Sequence, residues 1–277
     1  MNVHRAVSIC LILTGVGCTQ EQSRPGTETP ITTVRVHTTQ RSAFQVVGAD
    51  TLSDSARVLE IHPEQDGDGL VAVFADPGRR VSRGLAIIDR KMAAPQLLWP
   101  DSVTAVWWTG PHTLAFTTTT GTGIRLVVDV HAPELRIADT SGTSFTRPAT
   151  ETVTDSAMMQ RARTYTDSVR GQVGGTPQAS ALTYMVTRLI QSRDGRLGAF
   201  HTTAQTSGSV PTNPAWYAID RESGTVTPID QVTGPATELP ASAGQWSESG
   251  SFFYAKGRAV WEAEVTRGAG SASSPRE

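Results

Sequence analysis

The chain has 277 residues, 38% of them hydrophobic and 18% charged, with a net charge of −2. That length can bury a core for one large or two small domains, and the near-neutral charge excludes the basic stripe expected of a nucleic-acid binder. Of the 24 basic residues only Lys91 and Lys256 are lysines, a bias of overall composition rather than a phosphate-binding pattern.

Met1 to Arg5 forms a short n-region, and Ala6 to Val16 is an apolar stretch too short to span a bilayer. Gly15-Val16-Gly17-Cys18 follows. This stretch resembles the lipobox of bacterial lipoproteins, although Gly15 stands where that family prefers Leu. The resemblance implies that residues 1–17 are a signal peptide and that the Cys18 thiol takes a diacylglycerol. The only other cysteine, Cys10, lies in the leader, so a cleaved and acylated chain keeps no thiol. Thr19, where an Asp would retain a lipoprotein at the inner membrane, favours the outer one. The expected address is the periplasmic face of the bacterial envelope, with the membrane reached through the N-terminal lipid. Residues 18–30 have the composition of a tether, and residues 266–277 that of a disordered tail.

Ile31 to His37 alternates and is β-branched, as a strand should be, and Phe44 to Val47 is a second short candidate. A repeat then begins. Asp68 to Phe74, Leu85 to Asp89 and Gln96 to Trp99 form its first copy. Trp108 to Phe116, Leu126 to Asp129 and Glu134 to Ala138 form the second. Ser192 to Phe200, Trp216 to Asp220 and Thr225 to Ile229 form the third, and Trp246 to Tyr254 with Val260 to Glu264 the fourth. Between the second and third copies, Val153, Ala157, Ala162, Tyr165, Val169 and Val173 fall at helical spacing, with Gly174-Gly175 as a stop. That helix is expected to cap the blades; a partner-binding arm is the alternative.

A unit of about forty residues with three or four short strands has the period of propeller blades. Ser192 to Phe200, with Trp246-Ser247 and Trp108-Thr109, resembles the WD40-like repeat of the translocation protein TolB and related envelope propellers. The resemblance implies a mainly β chain, a small or partial propeller of about four blades with a helical insertion. Residues 31–139 would hold blades 1 and 2 with an N-terminal closing strand, 140–187 the insertion, and 188–265 blades 3 and 4. The fourth copy lacks a final strand, so Ile31 to His37 is expected to pair beside Ala259 to Val265 and cover that edge.

No catalytic constellation stands out. Asp66-Gly67-Asp68-Gly69 would need a carboxylate twelve places into an EF-hand loop, where Pro77 stands, so a β-turn explains it better. His37, His62, His112, His131 and His201 have no partners at zinc spacing and read as surface or loop residues. Asp89, Asp129 and Asp220 recur at one repeat position, as residues that bond to a following turn. No cofactor or metal is expected. Trp108 and Trp246 suit a core between blades, whereas Trp107, facing the other side of its strand, is the candidate exposed binding aromatic. The expected function is therefore non-enzymatic: a tethered propeller that binds or scaffolds an envelope protein. The alternatives are a glycan- or ligand-binding sensor and a small hydrolase or lyase built in a propeller cleft.

Overall fold

The computed structural model describes residues 32–43, 46–47, 50–51, 56–64, 69–89, 96–99, 102–127, 136–139, 155–173, 183–205, 212–231, 240–256 and 259–269. Strand β1 (Thr32–Ala43) is followed by a small hairpin of β2 (Val46–Val47) and β3 (Asp50–Thr51). Blade 1 comprises β4 (Arg57–Pro63), β5 (Gly69–Asp76), β6 (Val81–Asp89) and β7 (Gln96–Trp99). Blade 2 comprises β8 (Val103–Gly110), β9 (Thr113–Thr118), β10 (Gly123–Val127) and β11 (Arg136–Asp139). After helix α1 (Ser156–Val173), blade 3 comprises β12 (Thr183–Gln191), β13 (Leu197–Gln205), β14 (Thr212–Asp220) and β15 (Val226–Gln231). Blade 4 is β16 (Pro240–Trp246), β17 (Ser251–Lys256) and β18 (Ala259–Ala269), completed by β1. All four sheets are antiparallel and four-stranded. The chain is mainly β, a partial propeller with one helical insertion.

Side-chain alternation decides how the blades stack. Strand β5 is buried on both faces: Leu70, Ala72 and Phe74 enter a core shared with Phe253, Ala255 and Val260 of blade 4, while Val71 and Val73 enter a core shared with Trp108, Leu114 and Phe116 of blade 2. A strand sandwiched this way reads as a continuous apolar run, since period-2 alternation separates two interiors rather than core from water. Strand β17 does the same: Phe252 and Tyr254 face blade 3, Phe253 and Ala255 blade 1. The cores therefore link the blades in the order 3, 4, 1, 2, with the first strands β12, β16, β4 and β8 as nearest inner neighbours.

Blade 3 has a different neighbour on its far face. Phe200, Ala215, Tyr217 and Ile219 pack against Met158, Ala162 and Tyr165 of α1, which stands where another blade would. Phe200 and Tyr217 stack at 5.2 Å, and Tyr165 meets Tyr217 edge-on at 5.3 Å. Asp155 caps the helix, its Oδ1 accepting the N–H groups of Ala157 and Met158 at 3.0 Å. Met158 lies over Gly198, where a side chain would collide with its sulfur. The helix is a cap on blade 3.

The closing strand pairs in register from Thr32↔Ala269 to Ala43↔Ala259, with one bulge between Gln40 and Ser42. Val34 is buried in the core of blades 3 and 4, and Thr227 Oγ1 of blade 3 donates to the Val34 carbonyl at 3.3 Å. Strand β18 runs on past Val265, so Thr266 to Ala269, expected in the tail, belong to the sheet. Removing residues 32–43 should abolish the cooperative thermal transition, whereas removing 270–277 should leave it in place; similar melts for both truncations would show that closure contributes little.

Gly244 of blade 4 packs beneath Trp216 of blade 3: an added Cβ would lie 2.8 Å from Trp216 Cζ2 and 2.6 Å from Phe252 Cζ of its own blade. Both rings are fully buried and cannot swing away. Gly244→Ala should destabilise by about 1–3 kcal/mol, the usual cost of overpacking, read from denaturant midpoints at unchanged m-value.

Candidate functional site

Trp108 and Trp246 perform one task in two places. The Trp108 indole donates to the His62 carbonyl of blade 1 and the Trp246 indole to the Ile190 carbonyl of blade 3, each at 3.0 Å. Each ring thus closes an interblade core and satisfies its own N–H. The first turns of blades 4 and 3 are each held by a serine side chain: Ser247 Oγ accepts from Ser251 N–H at 3.0 Å, and Ser192 Oγ from Leu197 N–H at 3.0 Å. In blade 1 the same position carries Glu64, which accepts Gly69 N–H at 3.2 Å. Its side chain is fully buried, and its other oxygen takes His112 Nδ1 at 2.8 Å and His112 N–H at 2.6 Å across the blade boundary.

Two charged groups remain as sites. The first lies on the inner strands. Glu60 of β4 holds Arg83 Nη2 at 2.5 Å and His62 Nε2 at 3.1 Å, and Arg83 Nε donates to the Val103 carbonyl of blade 2 at 2.7 Å. The His62 hydrogen bond holds the Glu60 carboxyl down at about 2, against the opposing effect of burial and with further help from Arg83. Arg188 of β12 feels the same carboxylate: partial burial lowers its pKa while the charge of Glu60 raises it. One ionised carboxylate thus acts on blades 1 and 3 together.

The second group occupies the rim that carries the first and third turn of each blade. Asp220, fully buried, receives Glu222 N–H, Ser223 N–H and Ser223 Oγ on Oδ1 at 2.8–3.0 Å, the turn bonding expected of this repeat position. Its Oδ2 meets Arg267 Nε of β18 at 2.5 Å, and Arg267 Nη2 reaches Glu222 at 2.8 Å. Beside it, Arg221 Nε pairs with Asp155 at 2.8 Å, and the Arg161 guanidinium donates to the Arg221 carbonyl. Backbone bonding to Met158 is the main cause that keeps the Asp155 carboxyl below its usual range. Asp194, Gly195, Arg196, Arg221, Glu222 and Arg267 line an open recess of about 560 Å³ on this rim.

The expected site residues fall unevenly. Cys18 lies outside the described residues, as do Asp66, Asp68, Asp129 and His131, and the side chain of Asp89. Trp107 is 8% exposed, as is Trp108, so it is no surface aromatic: both faces of blade 2 are covered at this point of β8. His201 is likewise no surface residue; it is buried, shares a 2.6 Å hydrogen bond with Thr187 and packs against Trp216 at 5.0 Å. Among the described residues no group of three or more His, Cys, Asp or Glu gathers at metal-binding distances. The rim arginines were missed because their carboxylate partners come from distant segments; the one local signal was Arg193 and Arg196 around an Asp-Gly turn.

No family model and no curated protein matches the chain. Among solved structures it is similar to the β-propeller domain of Swd1 from Myceliophteria thermophila, at 13% identity and a TM-score of 0.24, over 78% of this chain and 59% of that one. It is similar to the WD40 domain of SCAP from fission yeast at 12% identity and a TM-score of 0.25, over 84% and 47% of the two chains. A periplasmic gluconolactonase of Pseudomonas aeruginosa follows at 13% identity and a TM-score of 0.22, over 78% and 58%. The chain thus spans less than two thirds of the length of each, and likeness at this level adds nothing to the architecture described above.

The inner-strand carboxylate makes a prediction with a definite sign. The Glu60 carboxyl sits at about 2 in the folded chain against 4.5 when unperturbed, so its contribution to stability is present above 4.5 and is lost as pH falls toward 2. Glu60→Gln should flatten the fall in melting temperature across that window while changing little of its slope above pH 5. Parallel curves for the two proteins would show that Glu60 does not couple folding to protons.

Proposed function

We propose that the chain is a lipid-anchored propeller of the bacterial envelope, held through Cys18, which binds or scaffolds an envelope protein rather than catalysing a reaction. It would be a relative of the TolB-type propellers in role as in repeat. The observation that supports this is the place of β1. Its first residue, Thr32, pairs with Ala269 at the end of β18, so a tether leading to Thr32 would join the fold at the rim that carries Arg267. A coil of fourteen residues spans about 20 Å, which would hold that rim close to the bilayer. The opposite rim, which includes the Pro77–Arg80 and Thr119–Thr122 turns, would then face away from the membrane and be open to a partner.

A binding role also suits the charged groups of the inner strands. Glu60, Arg83 and His62 are committed to one another and to the backbone of the neighbouring blade, an arrangement that fixes blades. Thr19 after Cys18 supports placement at the outer rather than the inner membrane.

Cys18→Ser should move the protein from the membrane fraction to the soluble periplasm or leave the leader uncleaved. A cleaved Cys18→Ser chain that still sediments with membranes would refute the anchor. For the scaffold role, cross-linking in intact cells followed by detergent solubilisation should recover one envelope protein with the lipidated chain, and recovery of none would count against it.

A further inference from the structure

We propose that the groove between α1 and the hairpin of β14 and β15 binds a short stretch of neutral glycan. This site stands apart from the lipid anchor and the scaffold role and uses none of their residues.

The groove has a volume of about 600 Å³. One wall is a single stripe of the helix: Ala157, Gln160, Arg161, Thr164, Tyr165 and Ser168 follow the i, i+3, i+4 spacing of one face and extend roughly 16 Å along its axis. Ser223, Gly224 and Val226 of the hairpin form the other wall. Tyr165 is the central group. Its ring is set edge-on against Tyr217 at 5.3 Å and Phe200 at 6.3 Å, so packing fixes its direction. Its hydroxyl makes no hydrogen bond to any described residue. Partial burial raises its pKa, and the hydroxyl stays protonated and able to donate.

The Gln160 side-chain amide, a donor and an acceptor, likewise has no partner among the described residues. Thr164 Oγ1 donates to the Gln160 carbonyl at 3.0 Å and Ser168 Oγ to the Tyr165 carbonyl at 2.7 Å, which leaves both hydroxyl oxygens with acceptor lone pairs. Small apolar surfaces lie between these groups: Ala157, Val226 and the Tyr165 ring. A few placed donors and acceptors beside apolar patches match a pyranose, which carries hydroxyls on its edge and C–H groups on its faces.

Other ligand classes fit less well. Arg161 is the one charged residue among those described along the groove, and its guanidinium donates to the Arg221 carbonyl. With no second cation lining the groove, a polyanion gains little there. An added peptide strand would need the edge of β15, where Pro228 lacks an N–H. A partner helix would need apolar anchors, but Gln160, Arg161, Thr164 and Ser168 make the stripe polar.

The test uses the chain from residue 19, which keeps every described residue. Calorimetric titration is run with the neutral trimers of N-acetylglucosamine and of glucose, and with the acidic trimer of galacturonic acid. At least one neutral trimer should bind, and the acidic trimer more weakly. Tyr165→Phe keeps the ring and its packing; it should weaken that binding about fivefold, the value of one hydrogen bond, at an unchanged melting temperature. Gln160→Ala should do the same. Unchanged affinity in both variants would place the sugar elsewhere and overturn the site. Binding of neither neutral trimer, or tighter binding of the acidic one, would overturn it as well. Equal affinity for the corresponding monosaccharide would assign the groove to a free sugar and overturn the glycan. No membrane or envelope protein enters these titrations, so they are decided separately from the Cys18→Ser fractionation and the cross-linking.

Discussion

Strand β1 carries two duties at opposite ends of the sequence. Its backbone supplies the fourth strand of blade 4, and Val34 fills a core to which blade 3 contributes Leu197, Trp216, Ala218 and Ile229. Blade 4 in turn is bound by the described cores to blade 3 on one face and to blade 1 on the other. Without β1, the apolar strand β18 would present a bare edge, and such edges invite pairing with other chains. The stability of the stack is thus tied to a strand near the start of the sequence, and residues some 230 positions apart must meet before the stack is complete. Contacts of that sequence separation slow folding, because loop-closure entropy is lost before the pairing compensates.

The interblade hydrogen bonds refine a packing that the cores have already chosen. Trp108 and Trp246 each bury a large ring and direct one N–H to a carbonyl of the preceding blade. Tyr254 adds a third link, its hydroxyl donating to Asp230 Oδ2 at 2.8 Å while Lys256 holds the other oxygen at 3.0 Å. Burial is the main cause that lifts the Tyr254 hydroxyl far above its usual pKa, so it remains a donor throughout the physiological range. Net, each such bond contributes about 1 kcal/mol; their greater effect is to fix the register between neighbouring blades, since a shifted blade would leave buried donors unpaired.

Much of this architecture was legible in the residues, and the division follows range. Turn chemistry is local, so Asp194-Gly195 and the Glu222 to Gly224 turn after Asp220 marked strand boundaries, and the helical spacing of Ala157, Ala162 and Tyr165 marked α1, although Ala157 is exposed and Met158 takes the buried place beside it. Alternation failed for β5, where both faces are inside, and for Trp107, where a second covered face made exposure the wrong expectation. Ion pairs across blades were not legible at all. Glu64 and His112 lie 48 positions apart and Asp220 and Arg267 lie 47 apart, and no spacing rule links such residues. His201 read as a surface residue because nothing in its own segment foretold Thr187 and Trp216 around it.

The rim shows how the repeat can be structural and still leave room for function. At each repeat position one group is spent on the turn: Ser192, Ser247 and Glu64 after the first strands, Asp220 after a third. Arg221, next to Asp220, reaches the N-terminus of α1 through Asp155. Arg267 likewise comes from the part of β18 that outruns β17. Both therefore belong to features that break the repeat, the inserted helix and the overlong closing pair. A repeat with identical blades would place the same side chains at every turn and distinguish no part of its rim. These two departures gather arginines at one place on it, beside the point where the chain enters the fold.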